Sequence, residues 1–221
     1  MSTCIKYPRT FHLPYSETVT DDDKRLLTDS HFYQMNSVVC TIKMDGENTT
    51  IYPDGSLHAR SIDGNKHPWQ TWLKRYIQSW CYNIPINWRV CGENLFAKHS
   101  IEYTFNTEQE YFQIFGIYNS ENFCICWNDL LNFCKNNQLK PVDTFYIGKY
   151  DKDRILTEFN RYKEVSEHNN QQVEGFVVRN ADQFHYDDFS KNVGKYVRKN
   201  HIQTNTHWTQ NWTSNIIKKE K

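Results

Sequence analysis

The residues best suited to do chemistry begin with Lys43-Met44-Asp45-Gly46-Glu47-Asn48, a lysine beside a strand end followed by a glycine that lets backbone approach a ligand closely. A lysine amine is a nucleophile once deprotonated, and burial or neighbouring cations bring its pKa toward neutrality. Alone, a K-x-D-G string is a weak signal. It is followed in order by His58-Ala59-Arg60-Ser61, Cys91-Gly92-Glu93-Asn94, Tyr111-Phe112-Gln113-Ile114-Phe115-Gly116-Ile117, Val173-Glu174-Gly175-Phe176-Val177-Val178 and Lys195-Tyr196-Val197-Arg198-Lys199. Five ordered elements carrying an amine, two carboxylates, an aromatic strand and a basic run are far more specific than any one.

The elements that must position these groups can be read from pattern. Ser37 to Ile42 and Thr49 to Tyr52 are rich in β-branched residues, and Pro53-Asp54-Gly55 supplies a turn before Leu57 to Ser61, so consecutive antiparallel strands are predicted. Lys43 to Gly46 then falls between the first two. Apolar residues at 69, 72, 73, 76, 77 and 80 behind Pro68 predict a helix. Further strands are expected over 88–91, 111–118, 123–126, 175–179 and 195–198, with helices over 128–135 and, capped by Asp151, over 152–165. The fold class is α+β, mainly antiparallel sheets with flanking helices, and one domain over residues 1–221.

The ordered strings resemble the motifs of the covalent nucleotidyltransferases, the superfamily of RNA ligases, DNA ligases and mRNA capping enzymes. The strings span residues 37–201, and the flanking KYPRTFHLP, GENLFAKHSI and KYVRKNHIQT look like a bacterial and phage branch of the RNA ligases. Asn48, five residues after the lysine, supports that branch, because DNA ligases and capping enzymes usually carry arginine there. The resemblance implies an ATP-grasp-like nucleotidyltransferase (ligase adenylation) domain that uses ATP and Mg²⁺ or Mn²⁺. Lys43 would form a lysyl-AMP intermediate, pass AMP to a 5′-phosphate of RNA, and let a 3′-hydroxyl displace it.

By the same resemblance Glu93 would accept from a ribose hydroxyl, and Glu174, with Glu93, would hold the divalent ion or its waters. Phe112 would stack on adenine, with Phe115 on the opposite strand face as the alternative and Val177 or Val178 on the other side of the base. Arg60 would meet the nucleotide phosphate or the RNA end. Lys195, Arg198 and Lys199 would lower the pKa of Lys43 and neutralise phosphates. Two departures stand out. Ile42 occupies a place where RNA ligases often carry an adenine-reading acid, and the usual K-x-K of the basic strand is displaced, leaving Lys195 to pair with Arg198 or Lys199.

The 26 basic and 26 acidic residues cancel, so a polyanion must be held by a local cluster rather than by overall charge. Seven scattered cysteines read as reduced thiols in a cytoplasm, and neither they nor the nine histidines show metal-ligand spacing. The N-terminus has no signal-peptide h-region, and no apolar run is long enough to span a bilayer. About 20 residues follow the basic strand, so no appended OB-fold is expected within these 221 residues. Trp208 and Trp212, four residues apart, are expected to pack rather than stack on bases. A monomer is expected, with RNA ends as substrate and a repair protein as a further partner. The rival functions are a DNA or RNA/DNA-hybrid nick ligase and a non-catalytic RNA-end-binding protein; intact Lys43, Glu93 and Glu174 argue against the second.

Overall fold

The computed structural model describes residues 4–19, 23–62, 67–199 and 212–218. With strands numbered in chain order, the first sheet contains β1 (Phe11–His12), β2 (Val38–Lys43), β10 (Thr144–Gly148), β11 (Gly175–Asn180) and β13 (Val193–Val197), ordered β1-β13-β11-β2-β10. All its pairings are antiparallel except β1 with β13. The second sheet has the order β12-β8-β7-β5-β3-β4. Its strands are β3 (Glu47–Ile51), β4 (Leu57–Ala59), β5 (Arg89–Asn94), β7 (Phe112–Tyr118), β8 (Phe123–Cys124) and β12 (Phe184–His185), with β9 (Lys140–Pro141) also on β7. β6 (Thr104–Phe105) and β14 (Ile216–Ile217) form a separate parallel pair.

The expected antiparallel pairing of the first two long strands is corrected. β2 and β3 belong to different sheets, and Lys43 to Gly46 is the crossing between them. The hairpin predicted across Pro53-Asp54-Gly55 does form, between β3 and β4. Strand β5 extends to Asn94, so Glu93 is a ladder residue rather than a loop residue.

Strand β2 is buried from Val38 to Ile42 because both of its faces are covered. Val38, Cys40 and Ile42 point into a core shared with Ile155 and Phe159 of α3 (Lys152–His168), whereas Val39 points into the larger core of the second sheet. Period-two alternation then aims Thr41 and Lys43 between the sheets. Helix α3 begins as expected, with Asp151 accepting a hydrogen bond from the Arg154 amide at 3.0 Å.

The single helix predicted over residues 69–80 is instead a short α1 (Thr71–Tyr76) between 3-10 turns at Pro68–Gln70 and Ile77–Ser79. Such tightening satisfies terminal amides and carbonyls that a helix this short cannot pair internally. The apolar face predicted there still forms, with Trp72 stacking on Tyr76 at 4.8 Å. Helices α2 (Trp127–Asn136) and α4 (Phe189–Asn192) complete the α+β fold. Near the C-terminus, Trp212 meets Trp69 and Phe96, and buried Asn215 accepts from the Tyr103 amide and donates to the Leu95 carbonyl. Trp208, His201 and His207 lie outside the described residues. No helix among the described residues is long and apolar enough to cross a membrane.

Candidate active site

A cavity of about 600 Å³ opens between the two sheets, within the range of small-molecule and cofactor sites. Lys43 sits on its wall at the end of β2, opposite Gly175 of β11, and its ammonium donates to Glu174 Oε2. The loop after Lys43 is held on both sides. Asp45 Oδ2 accepts from the Ser100 and Ile101 amides at 2.8 and 2.9 Å, and the Asp45 amide donates to the Tyr103 hydroxyl. The Gly46 amide donates to Glu93 Oε1 at 3.1 Å. A Cβ on Gly46 would stand 2.6 Å from the Asn94 carbonyl oxygen, so only glycine permits this approach.

The electrostatics differ from the sequence expectation in one respect. Burial pulls the pKa of Lys43 down, but Glu174, Glu93 and Asp45 outweigh it and leave the amine above its ordinary value. Carboxylates, not cations, dominate around it. Glu93 pairs with Asn48 in the β3–β5 ladder, and burial pushes its carboxyl up to about 8 despite the attraction of Lys43. Lys195, also on the cavity wall, is lowered mainly by burial and donates to Asp23 Oδ1 at 2.9 Å.

Glu174 and Glu93 are the carboxylates nearest in charge to Lys43 that could serve a divalent ion. No group of three or more His, Cys, Asp or Glu side chains among the described residues could hold a metal by itself. The carboxylate oxygens of Glu174 and Glu93 are hard donors of the kind that suit Mg²⁺ or Mn²⁺, which usually keeps waters and substrate phosphates as its other ligands. A nucleotide also fits the wall: Asn48 lines it with a buried Oδ1 that has no hydrogen-bond partner among the described residues.

The strands decide which remaining candidates converge. Asn48 and Arg60 line the cavity, the Arg60 amide donating to the Asn48 carbonyl. Val177 faces it, while Val178 is fully buried in the core beyond. Phe112 is corrected: it is 1% exposed, its ring lies over Gly92 in the core, and it stacks toward Trp80. Phe115 lines the cavity instead. The register between β5 and β7 slips so that Cys91 faces Gly116 and Gly92 faces Ile114, leaving Phe115 as the bulged residue. Tyr7 supports its ring edge-on at 5.1 Å.

Ile42 reaches the cavity wall, but its 6% exposed side chain packs in the α3 core beside Phe176, so it has no polar group with which to read adenine. Arg198 and Lys199 are not among the residues lining the cavity. The Arg198 Nε donates to the Val173 carbonyl, and exposed Lys199 gives its amide to Glu17. The residues two places from Lys195 on the same strand are Val193 and Val197, so β13 offers the cavity one cation. Sequence reasoning missed Asp23, Tyr7 and Glu47. Glu47 lines the wall and accepts from Trp69 Nε1 and Gln70 Nε2, both at 2.9 Å. Its place in the Lys43 string was the only available signal; Asp23 gave none.

A family model described as RNA ligase matches residues 36–197, which contain every one of these wall positions from Lys43 to Lys195. The chain belongs to the RNA ligase family. No curated protein matches it by sequence. Among solved structures, this RNA ligase family member is similar to an archaeal ATP-dependent RNA ligase, with a TM-score of 0.56 and 16% identity over 87% of this chain and 48% of that one. It is also similar to a point mutant of Naegleria gruberi RNA ligase with ATP and Mn, with a TM-score of 0.51 and 15% identity over 84% of this chain and 57% of that one. At such identities the likeness shows a shared fold. The family member here spans about half the length of the structures it matches.

Proposed function

We propose that the protein is an ATP-dependent RNA ligase, and that Lys43 Nζ attacks the α-phosphorus of ATP. A nitrogen–phosphorus bond forms, the bond from the α-phosphorus to the bridging oxygen breaks, and pyrophosphate leaves. AMP then passes from Lys43 to the 5′-phosphate of an RNA strand, and a 3′-hydroxyl displaces it to seal the ends. The observation that carries this reading is the placement of Lys43 against Glu174, with Glu93 and Lys195 on the wall of one nucleotide-sized cavity.

Each side chain has a task that its position supports. Glu174 holds the Lys43 ammonium until substrate phosphates enter, and loss of that contact lets burial bring the amine pKa down. Lys195 offsets charge on the phosphates, where a preformed cation costs little reorganisation. Phe115 and Val177 flank the base, and Asn48 or Arg60 meets polar atoms of the nucleotide or the RNA end. Mg²⁺ or Mn²⁺, held through Glu174 and Glu93, would supply charge neutralisation at the α-phosphate.

Incubation of the protein with α-³²P-ATP and Mg²⁺, beside Lys43→Ala, tests the first step on a denaturing gel. A label present in the natural protein and absent from the variant is expected. No label in either, once mass spectrometry has excluded a preparation already carrying AMP, would move the reading to an RNA-end-binding protein. Sealing assays on RNA, DNA and hybrid nicks then identify the strand that is joined.

A further inference from the structure

Beside the nucleotide cavity lies a second hollow of about 150 Å³, lined by Lys6, Tyr7, Pro8, Arg9, Arg60 and Tyr186. It shares Tyr7, Pro8 and Arg60 with the main cavity, so the two are contiguous. Three of its lining residues are cations, and no carboxylate lines it. Lys6, Arg9 and Arg60 are all exposed, and Lys6 and Arg60 form no ion pair among the described residues. In a chain with no net charge, such a concentration of positive charge at the mouth of a nucleotide site needs a reason.

The segment that carries Lys6 and Arg9 is fixed. The Ile5 amide donates to the Tyr52 hydroxyl at 2.8 Å, and the Tyr186 hydroxyl donates to the Lys6 carbonyl at 2.6 Å. Tyr7 is inserted edge-on between Phe115 and Phe189, with ring centroids 5.1 and 5.2 Å away. Arg60 comes from the end of β4, where its amide is bonded to Asn48. Two pinned backbones therefore bring the cations to one depression, and less backbone freedom has to be lost when an anion enters.

From this geometry we infer that the Lys6–Arg9–Arg60 hollow is a phosphate-binding subsite next to the nucleotide. Its occupant is a phosphate group from one of two sources: the 5′-phosphate of the RNA strand that receives AMP, or the pyrophosphate end of ATP. Guanidinium groups at 9 and 60 suit the paired oxygens of either, and Lys6 adds a point charge. The inference rests on the ligase reading for the identity of the donor, but the hollow itself can be tested without it.

The test uses the full chain with Lys6→Glu and Arg9→Glu combined, and Arg161→Glu on exposed α3 as a control for altered charge. Binding of a fluorescent RNA oligonucleotide with a 5′-phosphate is compared with the same RNA ending in a 5′-hydroxyl. The KM for ATP in self-labelling and the rate of AMP transfer from protein already charged are measured alongside. A 5′-phosphate source predicts that the preference for phosphorylated RNA and the transfer rate fall by about tenfold or more in the double variant alone. A pyrophosphate source predicts that the KM for ATP rises by a similar factor instead. If neither quantity moves beyond the Arg161 control, the subsite is overturned. If the natural protein takes no label from ATP yet prefers phosphorylated RNA and loses that preference in the double variant, the subsite stands and only the ligase reading fails.

Discussion

Lys43 and Glu174 are separated by 131 residues in sequence, yet the lysine ammonium donates to the carboxylate across the β2–β11 ladder. The side chain expected to act as a nucleophile is thus held as a cation, with its pKa above the ordinary value. Substitution of Glu174 separates these effects. Glu174→Gln removes the largest raising influence and leaves burial to lower the pKa, so Lys43 should react faster with a small amine-selective reagent near pH 8. Charging by ATP should fall by about 100-fold, because the same change removes a carboxylate that would hold the divalent ion neutralising the α-phosphate. Peptide mapping of modified Lys43, beside ³²P labelling, checks both; slower reagent labelling in the variant would contradict the assigned role of the ion pair.

Glu93 gives a stability signature. Burial raises its carboxyl from an ordinary 4.5 to about 8, so the folded state holds the proton more tightly than the unfolded chain does. Its contribution to stability is therefore fully present below pH 4.5 and is lost as pH rises to 8. Glu93→Gln should match the natural protein at pH 5 and exceed it at pH 8.5, with a melting-temperature gap of several degrees at roughly 2–4 °C per kcal/mol. Thermal unfolding at the two pH values checks this, and a gap that does not change with pH would show that the carboxyl is not raised.

The two phenylalanines of β7 should fail in different ways. Phe112→Ala opens a cavity in the core and should cost about 3–5 kcal/mol of stability. Phe115→Ala removes an aromatic face from the nucleotide cavity and should raise the KM for ATP roughly 2–10-fold at little cost in stability. Urea unfolding and self-labelling kinetics distinguish them; a KM effect confined to the Phe112 variant would restore the sequence-based choice.

Gly175 is tested by its closest neighbour. A Cβ there would lie 1.9 Å from the Tyr196 carbonyl oxygen, a backbone atom that cannot swing aside. Gly175→Ala should push β11 from β13, separating Glu174 from the strand that carries Lys195. A loss of about 2 kcal/mol or more is expected, with a parallel loss of charging. Full charging in a variant of natural stability would show that the strands tolerate the displacement.

The sequence by itself determined a good part of this protein. β-branched runs marked the principal strands, Asp151 marked the start of α3, and the order of motifs from Lys43 to Lys195 identified the family, because these signals are local in the chain. Tertiary structure decided what local pattern could not carry. Whether β2 and β3 pair depends on which distant strands compete for their edges, and each was taken by a different sheet. The choice between Phe112 and Phe115 turned on which face of β7 meets the cavity, because alternation sets the two on opposite faces and only packing turns Phe112 into the core with Ile114 and Ile117 and Phe115 onto the wall. The partnership of Lys195 with Asp23, 172 residues away, gave no sequence signal at all. It exists because β1 lies parallel to β13 and brings the N-terminal segment beside the basic strand.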